Sequence, residues 1–288
     1  MSEVLDRGGL PAAGLVGVAG TDAEQTRRLA ELIADARSVV ALTGAGISVP
    51  SGIPDFRGRA GTQKGLWEKV DPMEVAHIDA FHEDPVRFWS FYGQRFATLG
   101  DKLPNGAHRA LVAMEQRGLL DAVITQNIDM LHRTAGTREL IEMHGSIATC
   151  SCLSCAGTVP VEEVRARLAC AEDGVPRCED CGRALKPDVV LFGEMLSRPS
   201  LERARELCEA AEVLLCVGSS LEVHPVAGLP KVTLASGGRV AILTQGPTPL
   251  DGLADVRLGG DVVLELQALL DALGPQVAGS VGSADQRV

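Results

Sequence analysis

Short apolar runs alternate along this chain with stretches of helical period, and most runs end in small or polar residues. Val39-Val40-Ala41-Leu42-Thr43 is the first run, rich in β-branched residues and free of charge, which predicts a buried strand. Residues 121–125, 140–143, 188–192, 213–217 and 239–243 are similar apolar runs with at most one charged residue each. Between them, 26–36 carries Leu29, Leu32 and Ile33 at helical spacing, behind a capping-box signal at Thr21 and Glu24. Residues 105–118, 200–211 and 262–273 read as further helices, and Asp84-Pro85 as a helix start. Strands alternating with helices predict an α/β fold with a doubly wound parallel sheet. Such sheets bind ligands beyond the carboxyl ends of their strands, so the residues closing each run are the candidate site.

The first run closes in Gly44-Ala45-Gly46-Ile47-Ser48. Glycines remove the Cβ that keeps a ligand off the backbone, and a strand-to-helix turn can aim free N–H groups at an anion. The spacing also fits an ordinary tight turn, because Val49 stands where the G-x-G-x-x-G fingerprint has its last glycine. Gly52-Ile53-Pro54-Asp55-Phe56-Arg57 then replaces the expected helix with a loop, and 58–69 reads as a segment able to close over a ligand. The second run closes in Gln126-Asn127-Ile128-Asp129, where Asn127 and Asp129 either face a ligand or cap a helix over 130–134. His144-Gly145 follows the third run, Gly218-Ser219-Ser220 and Thr244-Gln245-Gly246 the later ones, with hydroxyls suited to ribose or phosphate. Residues 77–99 hold most of the aromatics, and put Tyr92 and Arg95 on one helix face. That face is either a packed aromatic surface with a solvated arginine or a lid offering a hydroxyl and a guanidinium to an acidic group.

Residues 146–186 change character. Cys152-x-x-Cys155 and Cys178-x-x-Cys181, 22 residues apart, form two knuckles that can close a tetrahedral four-thiolate shell around one structural Zn²⁺. Cys150 could replace Cys152 in that shell, whereas Cys170, Cys208 and Cys216 read as small apolar residues. The module would be an insertion into the sheet domain. With 45% apolar but only 3% aromatic residues the core is aliphatic, and a net charge of −11 argues against a nucleic-acid backbone as partner. No apolar run reaches the ~18 residues of a membrane span and no secretory core follows the N-terminus, which predicts a cytoplasmic protein without a membrane partner. Residues 1–20 read as a flexible arm and 274–288 as a disordered tail.

Taken in order, these motifs resemble the sirtuins, NAD-dependent protein lysine deacylases, from about residue 39 to 269. Gly44-Ala45-Gly46-Ile47-Ser48 with Gly52 to Arg57 is similar to that family's cofactor loop, and Thr125 to Asp129 with His144-Gly145 to its catalytic motifs. The cysteine pairs, Phe192-Gly193-Glu194 and Gly218-Ser219-Ser220-Leu221 match as well. The resemblance implies a Rossmann-like domain over 21–145 and 187–273, with a helical and cofactor-loop insertion at about 58–104, and a zinc ribbon over 146–186 with Cys152 as ligand. It implies NAD as co-substrate and acylated lysine on proteins or peptides as partner. Ala45, Phe56, Ile128 and Asp129 would hold nicotinamide, Gln126 and Asn127 would orient ribose and water, and Asp55 and Arg57 would serve the cofactor loop. Gly44, Gly46, Gly218, Ser219, Ser220, Thr244, Gln245, Gly246, Asp261 and Val262 would complete the cofactor site. His144 would be the general base, and Val223, His224 and Pro225 would pair with the substrate backbone as a strand. The products would be nicotinamide, free lysine and O-acyl-ADP-ribose.

Two departures bear on that expectation. Thr244 stands where the family often has asparagine. Tyr92-Gly93-Gln94-Arg95 matches the Y-x-x-R of the branch that removes succinyl and malonyl groups, while Asp55-Phe56-Arg57 is the form of deacetylating branches. Acetyl is therefore the first expectation and an acidic acyl group the second. Mono-ADP-ribosyl transfer from the same pocket, or a zinc- and NAD-binding module without catalysis, are the alternatives.

Overall fold

The computed structural model describes residues 21–54 and 72–275. Six parallel strands form one sheet: β1 (Val39–Thr43), β2 (Ala122–Thr125), β3 (Leu140–Glu142), β7 (Val213–Val217), β8 (Arg239–Leu243) and β9 (Val256–Leu258). Their order is β3-β2-β1-β7-β8-β9, so the winding reverses between β1 and β7. β1 and β7 are buried at every position, because helices cover both faces and erase the alternation of a half-exposed strand. On one face lie α1 (Ala23–Asp35), α5 (Gly106–Gln116) and α10 (Val262–Ala272), packing Leu29, Ile33, Leu111 and Leu266 against Ala41 and Leu215. On the other lie α8 (Arg198–Ala210) and α9 (Leu229–Ala235) over Leu42, Leu214 and Ile242. Burial of such side chains contributes about 1.5–3 kcal/mol each.

A second sheet of three antiparallel strands, ordered β5-β4-β6, is built from β4 (Gly145–Cys152), β5 (Thr158–Pro160) and β6 (Leu185–Val189), with α7 (Val161–Cys170) against it. The helix α4 (Pro85–Gly100) bridges to this sheet. Its Phe88, Trp89 and Phe96 join Ile147, Val164 and Leu185 in a separate core, and the Trp89 indole donates to Leu185 O at 2.9 Å. Before α4 come the short helices α2 (Pro72–Val75) and α3 (Ile78–Glu83); α6 (Leu131–Ala135) follows β2.

Several expectations are corrected. The first helix begins earlier, and its cap is Asp22 rather than Thr21: Asp22 Oδ1 accepts from the N–H groups of Glu24 and Gln25. The apolar run at 188–192 is not a strand of the parallel sheet. Leu185–Val189 pairs antiparallel with β4 instead, because the cysteine knuckles bring Leu185 opposite Cys152. β9 was not foreseen. Cys170 is exposed, unlike the buried Cys208 and Cys216. Among the described residues no helix is long and apolar enough to cross a membrane.

Candidate active site

The reversal between β1 and β7 sets two turns against each other. Gly44 N–H donates to Val217 O at 3.0 Å and Gly46 N–H to Gly218 O at 2.8 Å. A Cβ on Gly46 would lie 2.7 Å from Gly218 O, and one on Gly218, at φ 61°, would lie 2.3 Å from Ile47 N. These glycines are required by the contact of two turns. The N–H groups of Gly46, Ile47 and Ser48 are bonded to backbone carbonyls.

Behind the turns lies a buried polar network. Thr43 and Thr125 face each other in register and their hydroxyls bond at 2.8 Å; Thr43 Oγ1 also meets His132 Nε2 at 2.9 Å. The Ser48 hydroxyl donates to Asp129 Oδ2 at 2.6 Å and accepts from Asn127 Nδ2 at 3.1 Å, and Asn127 Nδ2 also reaches Gly44 O. Asp129 Oδ1 accepts from Leu131 N–H, so it does serve the start of α6, whereas Asn127 does not. Desolvation raises the Asp129 pKa, opposed by Ser48, the Leu131 N–H and the charge of Arg95. His108 and His132 stack edge-on with centroids 4.8 Å apart, and burial lowers them to about 4 and about 3, so both are neutral near pH 7. Thr43, His108 and His132 go unmarked in the sequence, although Ser48 and Thr125 stand in its motifs. The available signal was polar residues recurring inside or at the ends of apolar elements.

His144 is half-buried between β3 and β4, and its Nδ1 lies 2.8 Å from Gln126 O. A carbonyl only accepts, so Nδ1 carries the proton and Nε2 keeps its lone pair. Desolvation lowers the imidazole pKa, opposed by that bond, which keeps the ring neutral near pH 7. Gln126 Nε2 crosses to Ser219 Oγ at 2.9 Å, joining the ends of β2 and β7. Ile128 and Ser220 are half-buried beside them, and Thr244 follows β8 with its N–H on Leu258 O. Gln245 and Gly246 are exposed, and Gly246 O accepts from Arg257. Asp261 caps α10 through the N–H groups of Val263 and Leu264, with Val262 buried behind it. Hydroxyls, amides and one neutral imidazole along the carboxyl edge, centred on the switch point, fit a dinucleotide's ribose and amide groups.

Tyr92 stacks on Phe88 at 4.5 Å inside the aromatic core, and burial pushes its hydroxyl up to about 12. Burial lowers the Arg95 pKa, opposed by Tyr92 and Asp129. Val223, His224 and Pro225 form an exposed turn that pairs with no strand among the described residues. Asp55, Phe56, Arg57 and the loop at 58–69 lie outside the described residues.

The ligand atoms of Cys152, Cys155, Cys178 and Cys181 all lie within 4.8 Å of one another. Tetrahedral zinc–sulfur bonds place sulfurs about 3.8 Å apart. The Cys152–Cys181, Cys155–Cys178 and Cys155–Cys181 separations are 3.4, 3.5 and 3.8 Å, so the four thiols fit zinc. Backbone N–H groups of Cys155 and Ser154 pull the Cys152 thiol down to about 6. Cys150 is buried in β4 and outside the cluster, and burial pushes its thiol up.

A family profile described as "Sir2 family" matches residues 44–225. The chain belongs to the Sir2 family. It is 44% identical over 235 residues to an NAD-dependent protein deacetylase of Caldivirga maquilingensis, covering 82% of this chain and 88% of the relative. It is 42% identical over 232 residues to an NAD-dependent protein deacylase of Pyrococcus abyssi, covering 81% and 91%. Among solved structures, a Sir2 variant with a deacetylated p53 peptide and 3′-O-acetyl ADP ribose superposes with a TM-score of 0.80 at 38% identity, covering 85% of this chain and 97% of that one. Sir2Tm bound to a propionylated peptide superposes at 0.77 and 36%, with the same coverage.

Proposed function

We propose that this chain is an NAD-dependent protein lysine deacylase, with one structural zinc in its four-cysteine module. The observation that carries the reading is the His144–Gln126 bond, which leaves Nε2 as a neutral base at the carboxyl edge of the sheet. Sir2 family membership and the deacetylase and deacylase relatives support it. NAD, when bound, would supply a ribose carbon at which the acyl oxygen replaces nicotinamide, which leaves free. His144 Nε2 takes the proton of a ribose hydroxyl, while the Gln126 carbonyl holds the ring in the required tautomer. Gln126, Asn127, Ser219 and Ser220 orient ribose and water, and Ile128 and Asp129 hold the carboxamide, with Asp129 fixed by Ser48. Gly44, Ala45, Gly46, Thr244, Gln245, Gly246, Asp261 and Val262 border the cofactor, joined by Asp55, Phe56 and Arg57. The acyl-lysine peptide lies against Val223, His224 and Pro225. The parallel sheet and its helices lie within 21–145 and 187–273, and the cysteine pairs of the zinc module within 146–186; the acidic chain is cytoplasmic and takes no nucleic acid.

A short neutral acyl group is the preferred substrate, because Arg95 stands half-buried on α4 beside the aromatic core, where burial lowers its pKa and the charges of Tyr92 and Asp129 oppose that shift. The test is single-turnover reaction of NAD with acetyl-, succinyl- and unmodified-lysine peptides, reading nicotinamide release and peptide mass. Release that requires an acylated peptide is expected, and His144→Ala should reduce formation of the deacylated peptide about 10²- to 10⁴-fold. ADP-ribose left on an unmodified protein would make the chain a transferase instead, and no release on any substrate would leave a binding module. Arg95→Met should leave acetyl and succinyl peptides in the same order of rate; a selective loss on succinyl would restore an acidic acyl group as the substrate.

A further inference from the structure

A lysine is rarely buried unless it is paired, and Lys186 of β6 is only 6% exposed. Its ammonium has three donors, and three acceptors surround it. Pro187 O lies at 3.1 Å, Val189 O at 2.9 Å and Glu194 Oε2 at 2.9 Å. Glu194 Oε2 also accepts from the Leu191 N–H at 2.8 Å. One ammonium and one carboxylate therefore tie two carbonyls, one amide and the far end of the segment 187–194 to a single point.

That segment runs along the backbone at His144. Val189 pairs with Gly145, and the Val190 N–H donates to His144 O at 2.8 Å. Phe192 N–H donates to Ala76 O at 2.9 Å and Phe192 O accepts from Ile78 N–H at 3.0 Å, so the segment also reaches the start of α3. Gly193, at φ 84°, sits where a Cβ would be 2.6 Å from the His77 ring, which leaves the backbone one path. Along that path Phe192 is 42% exposed and Met195 90% exposed, an apolar surface two and five residues past Val190.

We propose that Lys186 and Glu194 are positioning residues for the acyl-lysine substrate: their buried pair holds Val190 and Phe192 at a fixed distance from His144. The acyl-lysine side chain is a long apolar stem ending in an amide, and its approach to His144 Nε2 depends on apolar surface held beside the ring. Neither residue touches a reacting atom. The pair acts on the peptide subsite and leaves the sheet crest that borders the cofactor unchanged. This inference rests on the deacylase reading.

Replacing a buried ion pair with neutral groups of similar size is often tolerated by the fold, which makes the double variant Lys186→Met/Glu194→Gln informative. Its KM for an acetyl-lysine peptide, and the Kd of a fluorescent version of that peptide, should rise by about tenfold with kcat and the KM for NAD little changed. Should the double variant fail to fold, Glu194→Gln alone is measured with the same readouts and the same expected split. A wild-type peptide KM in a variant whose 189–194 amides exchange faster would overturn the proposal, as would equal losses for peptide and NAD. Wild-type protein that releases no nicotinamide with any acyl peptide would instead remove the deacylase reading, and this inference with it.

Discussion

The six-stranded sheet and the four-thiol module reach a fixed shape by different physics. The sheet is held by area: β1 and β7 are buried along their whole length, and aliphatic helices cover both faces. The module has three strands, of which β5 is three residues long with one buried position, and its own core is largely borrowed from α4. A unit that small needs a staple, and four thiols at zinc spacing supply one. The difference extends to the candidate site. The sheet side offers polar groups frozen by packing, whereas the module side, through β4, β6 and Trp89, sets where His144 and α4 stand.

The largest test of that contrast is metal removal. A structural zinc contributes on the order of 10 kcal/mol to its module. Chelation, or Cys178→Ser, should therefore expose the amides of 145–189 to hydrogen exchange and abolish turnover. The amides of β1 and β7 should stay protected. Equal loss of protection in both sheets would show that the parallel sheet does not stand without the module.

The same contrast explains what was legible in the sequence. The cysteine knuckles are local, four residues each, so spacing located the two pairs and the resemblance chose Cys152 over Cys150. β1, β7 and β8 were legible because strands buried on both faces read as unbroken apolar runs. β9 was not, since Val256-Arg257-Leu258 is a three-residue strand with a charge in its middle. The run at 188–192 misled because its apolar content is set by the aromatic core and not by the parallel sheet. The glycines at 44, 46 and 218 were legible as turns, but their reason is a contact between turns more than 170 residues apart, which no local pattern records. The His108–His132 pair is tertiary in the same sense, joining α5 to α6.

Glycine substitutions give a second, smaller test. Gly218 and Gly174 both have positive φ, 61° and 67°, and differ only in what surrounds them. A methyl on Gly218 would collide with Ile47 N and Gly46 Cα, both backbone, whereas one on Gly174 meets nothing within 4 Å. Gly218→Ala should cost roughly 3 kcal/mol or more by urea denaturation and weaken NAD binding, combining overpacking with left-handed strain. Gly174→Ala should cost about 1 kcal/mol, the strain alone. Zinc content should stay at one per chain in both.

Acid separates the two regions through different protons. In the unfolded chain His108 and His132 titrate near 6.5; folded, burial holds them at about 4 and about 3. Between those values the unfolded state binds more protons, so stability is fully present above about pH 6.5 and falls as pH drops toward the folded values. At pH 5, His108 alone should account for about 2 kcal/mol of lost stability. His108→Gln should flatten the urea-midpoint profile between pH 7 and pH 5 by about that amount, even if the variant is less stable at pH 7. Zinc release followed over the same range with a metal-sensitive dye reports the thiolates, and His108→Gln should not move it. A wild-type pH slope in His108→Gln would mean that the ring is already solvated in the native state. A shift of zinc release in step with the sheet would mean that the two regions unfold as one.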